Sequence, residues 1–219
     1  MMRFIFFGFS LIFHPIIIPL YSLSLYFTIE NYNNQILKNN IEISILYFHL
    51  LIFVICILFP MASIYIMIRS KIITDFNISK RKERFPVLIV VLIYYSLAYI
   101  VFKDLNENLV QIIDNFLSLL FGGLILLILS LIISLKWKIS LHSVGVSGMA
   151  AGFIALSTTM GFVKNYDQLI LINGLLLIIM GIVSSSRLFL KAHKPLEVYA
   201  GLILGFIVEY YVVSNKLYL

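Results

Sequence analysis

The chain has 219 residues, 62% of them hydrophobic and only 12% charged, with a mean hydropathy of +1.05. A water-facing surface needs roughly twice that charged fraction, which excludes an ordinary soluble domain and leaves a polytopic membrane protein. The net charge of +6 does not point to nucleic acid, because the basic residues stand in short loops beside apolar runs, where anionic lipid headgroups are the nearer partner.

Apolar runs of about 20 residues, enough to cross a hydrocarbon core of about 30 Å, are read at roughly 4–29, 43–68, 86–102, 112–135, 143–163, 168–185 and 196–213. Their length and their lack of two-residue alternation predict an all-α bundle of about seven transmembrane helices, not a barrel. Two N-terminal helices over 1–68 precede a core over 69–219. The first run is too long for a signal-peptide core and has no convincing small-residue cleavage site, so it is expected to stay as a span.

Within the first run His14 precedes Pro15, with Pro19 close by, and His49 lies early in the second. Each is read as an interhelical hydrogen bond outside any site. The single cysteine, Cys56, sits in an apolar run, so neither an intramolecular disulfide nor a cysteine-ligated metal is expected. Asp75 resembles a magnesium-diphosphate aspartate, but no second Asp-rich motif accompanies it.

The first polar cluster is Lys80-Arg81-Lys82-Glu83-Arg84-Phe85-Pro86, with Pro86 opening the next run. Lys80 and Arg84, four apart, share a helix face and can grip two oxygens of one phosphate. The stretches Glu30 to Glu42 and Lys103 to Asp114 read as short polar loops on the opposite face.

The second cluster runs from Lys136 through Ser140, His142 and Ser143 to Gly145 and Gly148, where an apolar run begins. It reads as a helix N-terminus, capped by Ser143 or Ser140, whose free amides favour an anion. His142 stands in the same turn.

The third cluster is Ser186-Arg187, five residues, His193, three residues, Glu197. Arg187 can hold an anion and His193 can attack or shuttle a proton. Glu197, one helical turn on, can fix the imidazole tautomer. Glu209, inside the last run, either faces the bundle or snorkels outward, and the sequence does not choose between the two.

Seven spans put all three clusters on one membrane face. That face carries twelve of the sixteen Lys and Arg residues, against Lys38, Lys103, Lys164 and Lys216 on the other, and is expected to be cytoplasmic.

The third cluster resembles the third signature of the type 2 phosphatidic acid phosphatase (PAP2) superfamily: Ser-Arg, five residues, His, three residues, Asp. Ser186, Arg187, His193, Pro195, Ala200 and Gly201 match, and Glu197 replaces the Asp. In the second signature, Pro-Ser-Gly-His, only Ser143 matches; Gly145 takes the histidine position and His142 the proline position. In the first, Lys, six residues, Arg-Pro, Arg84 and Pro86 are separated by Phe85, and Lys80 substitutes by proximity.

The resemblance implies a lipid phosphatase that needs no metal or other cofactor. Its substrate would be a lipid phosphate or polyprenyl diphosphate. His193 would form a phosphohistidine, oriented by Glu197, while Lys80, Arg84, Ser143 and Arg187 hold the phosphoryl oxygens and His142 protonates the leaving group. The alternative is a non-catalytic relative that binds or transports lipid phosphates.

Overall fold

Pro15 breaks the first apolar run, because it has no amide proton to donate and holds His14 extended, at φ −66° and ψ 137°. The computed structural model, which describes residues 2–29, 35, 42–76, 78, 80–108, 113–159 and 165–218, therefore replaces the single expected helix with two. These are α1 (Met2–Ile12) and α2 (Ile18–Thr28), joined by a 3-10 turn at Pro15–Ile17. The Ile16 amide donates to His14 Nδ1 at 3.4 Å, which fixes the ring at the break.

The second span consists of α3 (Glu42–Ile52), a π-helical stretch (Phe53–Leu58) and α4 (Phe59–Arg69). Pro60 cannot donate to the preceding turn, and the helix widens just before it: the Phe59 amide reaches back five residues to the Val54 carbonyl.

The third span, α5 (Arg81–Asn108), begins before Pro86 and leaves that proline inside its second turn. Glu83 accepts from the Thr74 amide at 3.2 Å and the Thr74 hydroxyl at 2.9 Å, which ties the preceding loop to the first turn. The expected loop from Lys103 is helical as far as Asn108. Asn106 then donates to Asp114 at 2.6 Å and accepts from the Ile113 amide at 2.8 Å, setting the start of the next helix. The expected loop from Glu30 to Glu42 lies, but for Gln35 and Glu42, outside the described residues.

The remaining helices are α6 (Asp114–Lys136), α7 (Leu141–Thr159), α8 (Tyr166–Phe189) and α9 (Pro195–Ser214). Seven helical segments are long and apolar enough to cross a membrane, and no strand occurs among the described residues. At the end of the bundle away from the basic clusters, Tyr26, Phe48, Phe102 and Phe116 pack with ring centroids 5.4–5.8 Å apart.

The most buried span is α7, and its closest partner is α9. A side chain on Gly205 would strike Ser147 and the Val144 carbonyl, and one on Gly201 would meet the Ser140 carbonyl at 2.8 Å and Ser143 Cβ at 3.1 Å. Between membrane helices, where lipid and side chains are equally apolar, such small-residue contacts supply the packing. Gly205→Val is expected to destabilise the protein by about 1–3 kcal/mol through overpacking. Gly174→Ala, with nothing within 4 Å of the new methyl, should be neutral or slightly stabilising. Thermal unfolding in detergent measures both.

Candidate functional site

The expected loop 186–195 is shorter in the structure because α8 continues to Phe189, which puts Arg187 in its last turn, where a cation is favoured by the helix dipole. The helix stops when the Lys191 amide donates to the Leu188 carbonyl (2.9 Å) and the Ala192 amide to the Arg187 carbonyl (3.1 Å). Lys191 takes the left-handed conformation this closure requires, at φ 51°. Pro195 then starts α9, so His193 sits between two helix ends.

Glu197 lies in the first turn of α9. Its Oε2 accepts from His193 Nδ1 at 2.8 Å and from the Lys194 amide at 3.2 Å, and both His193 and Glu197 are buried. Because a carboxylate only accepts, Nδ1 carries the proton and Nε2 keeps a lone pair. Burial pushes the His193 imidazole below the ordinary histidine range. The Glu197 hydrogen bond opposes this, and Arg84, Arg187 and Lys138 add to it, giving a value of about 4.

Three cations surround this pair. Arg84 is buried and donates through one terminal nitrogen to the Ile139 carbonyl at 2.8 Å. Arg187 donates to the Ser10 hydroxyl on α1. Lys138 donates to the Ala192 carbonyl at 3.1 Å; burial lowers its pKa, and Arg84 adds to that effect. The Nε atoms of Arg84 and Arg187 are both buried with no hydrogen-bond partner, which leaves two donors unspent.

His142, in the first turn of α7, lies 3.0 Å through Nε2 from the Ser10 carbonyl, so Nε2 carries its proton. His14 packs edge-on against it, with ring centroids 5.1 Å apart at 86°. Arg84, Arg187, His193, His142, His14 and Ser10 all line one cavity of about 240 Å³.

Three of the expected site residues do not line that cavity: Glu197, which reaches it only through His193, and Lys80 and Ser143, which stand apart. Lys80 is exposed and paired with Glu83 at 3.4 Å. Ser140, not Ser143, caps α7: its hydroxyl accepts from the Ser143 amide at 3.4 Å and from the Ser143 hydroxyl at 2.9 Å. Ser143 and Ser147, one turn apart, face α9, while His142 and Gly145 face the cavity, as helical periodicity requires.

The residue-by-residue reading did not name Ser10 and put His14 outside the site. Ser10 carries no signal in sequence, whereas His14 before Pro15 was a usable one, since a proline-induced break is where a side chain can leave the helix surface. His49 bonds the Ile45 carbonyl at 2.7 Å and lies 3.1 Å from the Ser24 hydroxyl, an interhelical role. Asp75 accepts from the Ile78 amide at 3.1 Å. Among the described residues no three His, Cys, Asp or Glu side chains converge to hold a metal ion.

No family model, curated protein or solved structure matches the chain.

With a folded-state pKa of about 4 against an unfolded value of about 6.5, His193 contributes stability that is full above about pH 6.5 and is lost as pH falls toward 4. The imidazole is therefore expected to stay neutral at pH 5.5 in NMR titration of ring-labelled protein. Arg84→Gln should move its midpoint upward, because one of the cations that opposes protonation is gone.

Proposed function

We propose that the protein is an integral-membrane lipid phosphatase that transfers the phosphoryl group of a lipid phosphate or polyprenyl diphosphate to His193 and then to water. The observation that carries this reading is a buried histidine with one nitrogen held by Glu197 and the other free, on the same cavity wall as two guanidiniums with unspent Nε donors.

In the first step the Nε2 lone pair attacks the terminal phosphorus and the bond from that phosphorus to its leaving oxygen breaks: the lipid oxygen of a monophosphate, which takes up a proton, or the bridging oxygen of a diphosphate, which departs on the lipid monophosphate. Glu197 stabilises the positive charge that develops on the imidazole, and Arg84 and Arg187 stabilise the phosphoryl oxygens. Water then attacks the phosphohistidine, releasing inorganic phosphate and restoring His193. Lys138 raises the positive potential of the pocket.

An apolar stretch of the lining supports a substrate with a tail. The cavity wall runs along α5 from Arg84 to Tyr95, eleven residues or about 16 Å, and most of the lining between them is apolar. A lipid would put its phosphate at the cationic end and its chain along this wall.

His193→Ala is expected to abolish phosphate release by purified protein in chelator-containing detergent, and Glu197→Gln to lower kcat by about 10²–10⁴. Of the two other imidazoles, His14→Ala and His142→Ala would show which one supplies the leaving-group proton. One observation favours the rival reading of a non-catalytic binder or transporter: the Nε2 proton of His142 is engaged by the Ser10 carbonyl. Wild-type protein that binds lipid phosphate yet releases no phosphate would establish that rival.

The excess of Lys and Arg supports a cytoplasmic cavity mouth and an extracytoplasmic C-terminus. A reporter fused after the last residue is expected to be active only outside the cytoplasm.

A further inference from the structure

Deep in the same cavity lies a second polar feature that phosphoryl transfer does not use. Glu209 is 4% exposed, lines the cavity, and has its Oε2 buried without a hydrogen-bond partner. It stands twelve residues beyond Glu197 on α9, about 18 Å further into the bundle.

The helices around Glu209 are shaped to receive it. A side chain on Gly122 of α6 would strike its carboxyl group, and one on Gly152 of α7 would meet its Cγ at 3.2 Å. The neighbouring Gly123 makes the same room for the hydroxyl of Tyr95 from α5. Adjacent glycines on α6 thus bring a carboxyl and a phenol from two other helices to one level of the cavity, which both line. Cys56 is the other titratable side chain on that stretch of wall.

A plain hydrocarbon chain lying there would bury the carboxyl oxygen with nothing to bond it, a costly arrangement. A chain bearing a hydrogen-bond donor at that depth would satisfy it. We infer that Glu209 and Tyr95 form a second recognition point in the cavity, selecting amphiphiles that carry a hydroxyl near the far end of the chain from the phosphate. The inference rests on the amphiphile-binding reading of the cavity but not on hydrolysis.

The test is equilibrium binding of hexadecyl phosphate and its ω-hydroxy analogue to the full chain in detergent, followed by ligand-induced thermal shift. Wild-type protein is expected to bind the hydroxylated compound about tenfold more tightly, as one well-made buried hydrogen bond allows. Glu209→Leu should reverse that order, and Tyr95→Phe should narrow it; if Glu209→Leu fails to fold, the wild-type ratio and Tyr95→Phe still decide. Equal affinities in the wild type would overturn the inference while leaving the amphiphile reading intact. Failure of both compounds to bind would overturn the two together. A thermal shift produced by sodium but not by choline chloride, with both phosphates bound alike, would assign Glu209 to a cation and also overturn it.

Discussion

Helices α7 and α9 lie backbone against backbone because Gly201 and Gly205 present no side chains to the Ser140–Gly148 stretch of α7. That contact sets the rest of the cavity end. With the helices this close, the Ser140 amide donates to the Glu197 carbonyl at 3.1 Å, which brings the start of α9 and its buried carboxylate beside the start of α7. His193, fixed to Glu197, therefore shares a cavity with His142. The same seam, about three turns beyond Glu197, leaves Glu209 against glycines of α6 and α7.

The cationic rim is then assembled by carbonyl groups, not by counter-charges. Arg81 donates to the Lys136 carbonyl, Arg84 to that of Ile139 and Lys138 to that of Ala192, while Arg187 reaches the Ser10 hydroxyl. Three of those acceptors lie at or just beyond the C-terminal ends of α6 and α8, where carbonyls lack helical partners and the dipole end is negative. These bonds hold the cations in place without neutralising them. Arg84, Arg187 and Lys138 converge on a pair whose one carboxylate, Glu197, already accepts from His193. Cations in a low-dielectric setting with so little negative charge favour an anion, which is the physical basis of the phosphate reading.

The broken first span joins the two ends of this design. An uninterrupted helix would keep His14 on a regular face, but Pro15 turns the chain there and the ring packs against His142. The preceding turn supplies Ser10 to both Arg187 and His142. The N-terminal helices, expected to precede the core, thus furnish part of the cavity wall, and the cavity passes from this polar mouth into an apolar interior before meeting Tyr95 and Glu209.

Much of the architecture was legible in the residues alone. Runs of about 20 apolar residues allow only helices in lipid, so the seven spans and the all-α class followed from composition and length. The pairing of His193 with Glu197 was equally legible, because four-residue spacing in a helical turn puts two side chains on one face. Spacing grouped Lys80 and Ser143 with the other site residues, whereas the structure has Lys80 exposed beside Glu83 and Ser143 against α9, because spacing cannot tell which face of a helix meets a neighbour and which meets solvent. Tertiary packing decided that Ser143 faces α9, that Ser10 and His14 join the cavity from more than a hundred residues away, and that Glu209 faces inward. Those outcomes depend on which helices touch and at what height, and that is set by small residues on partner helices, not by any pattern within one segment.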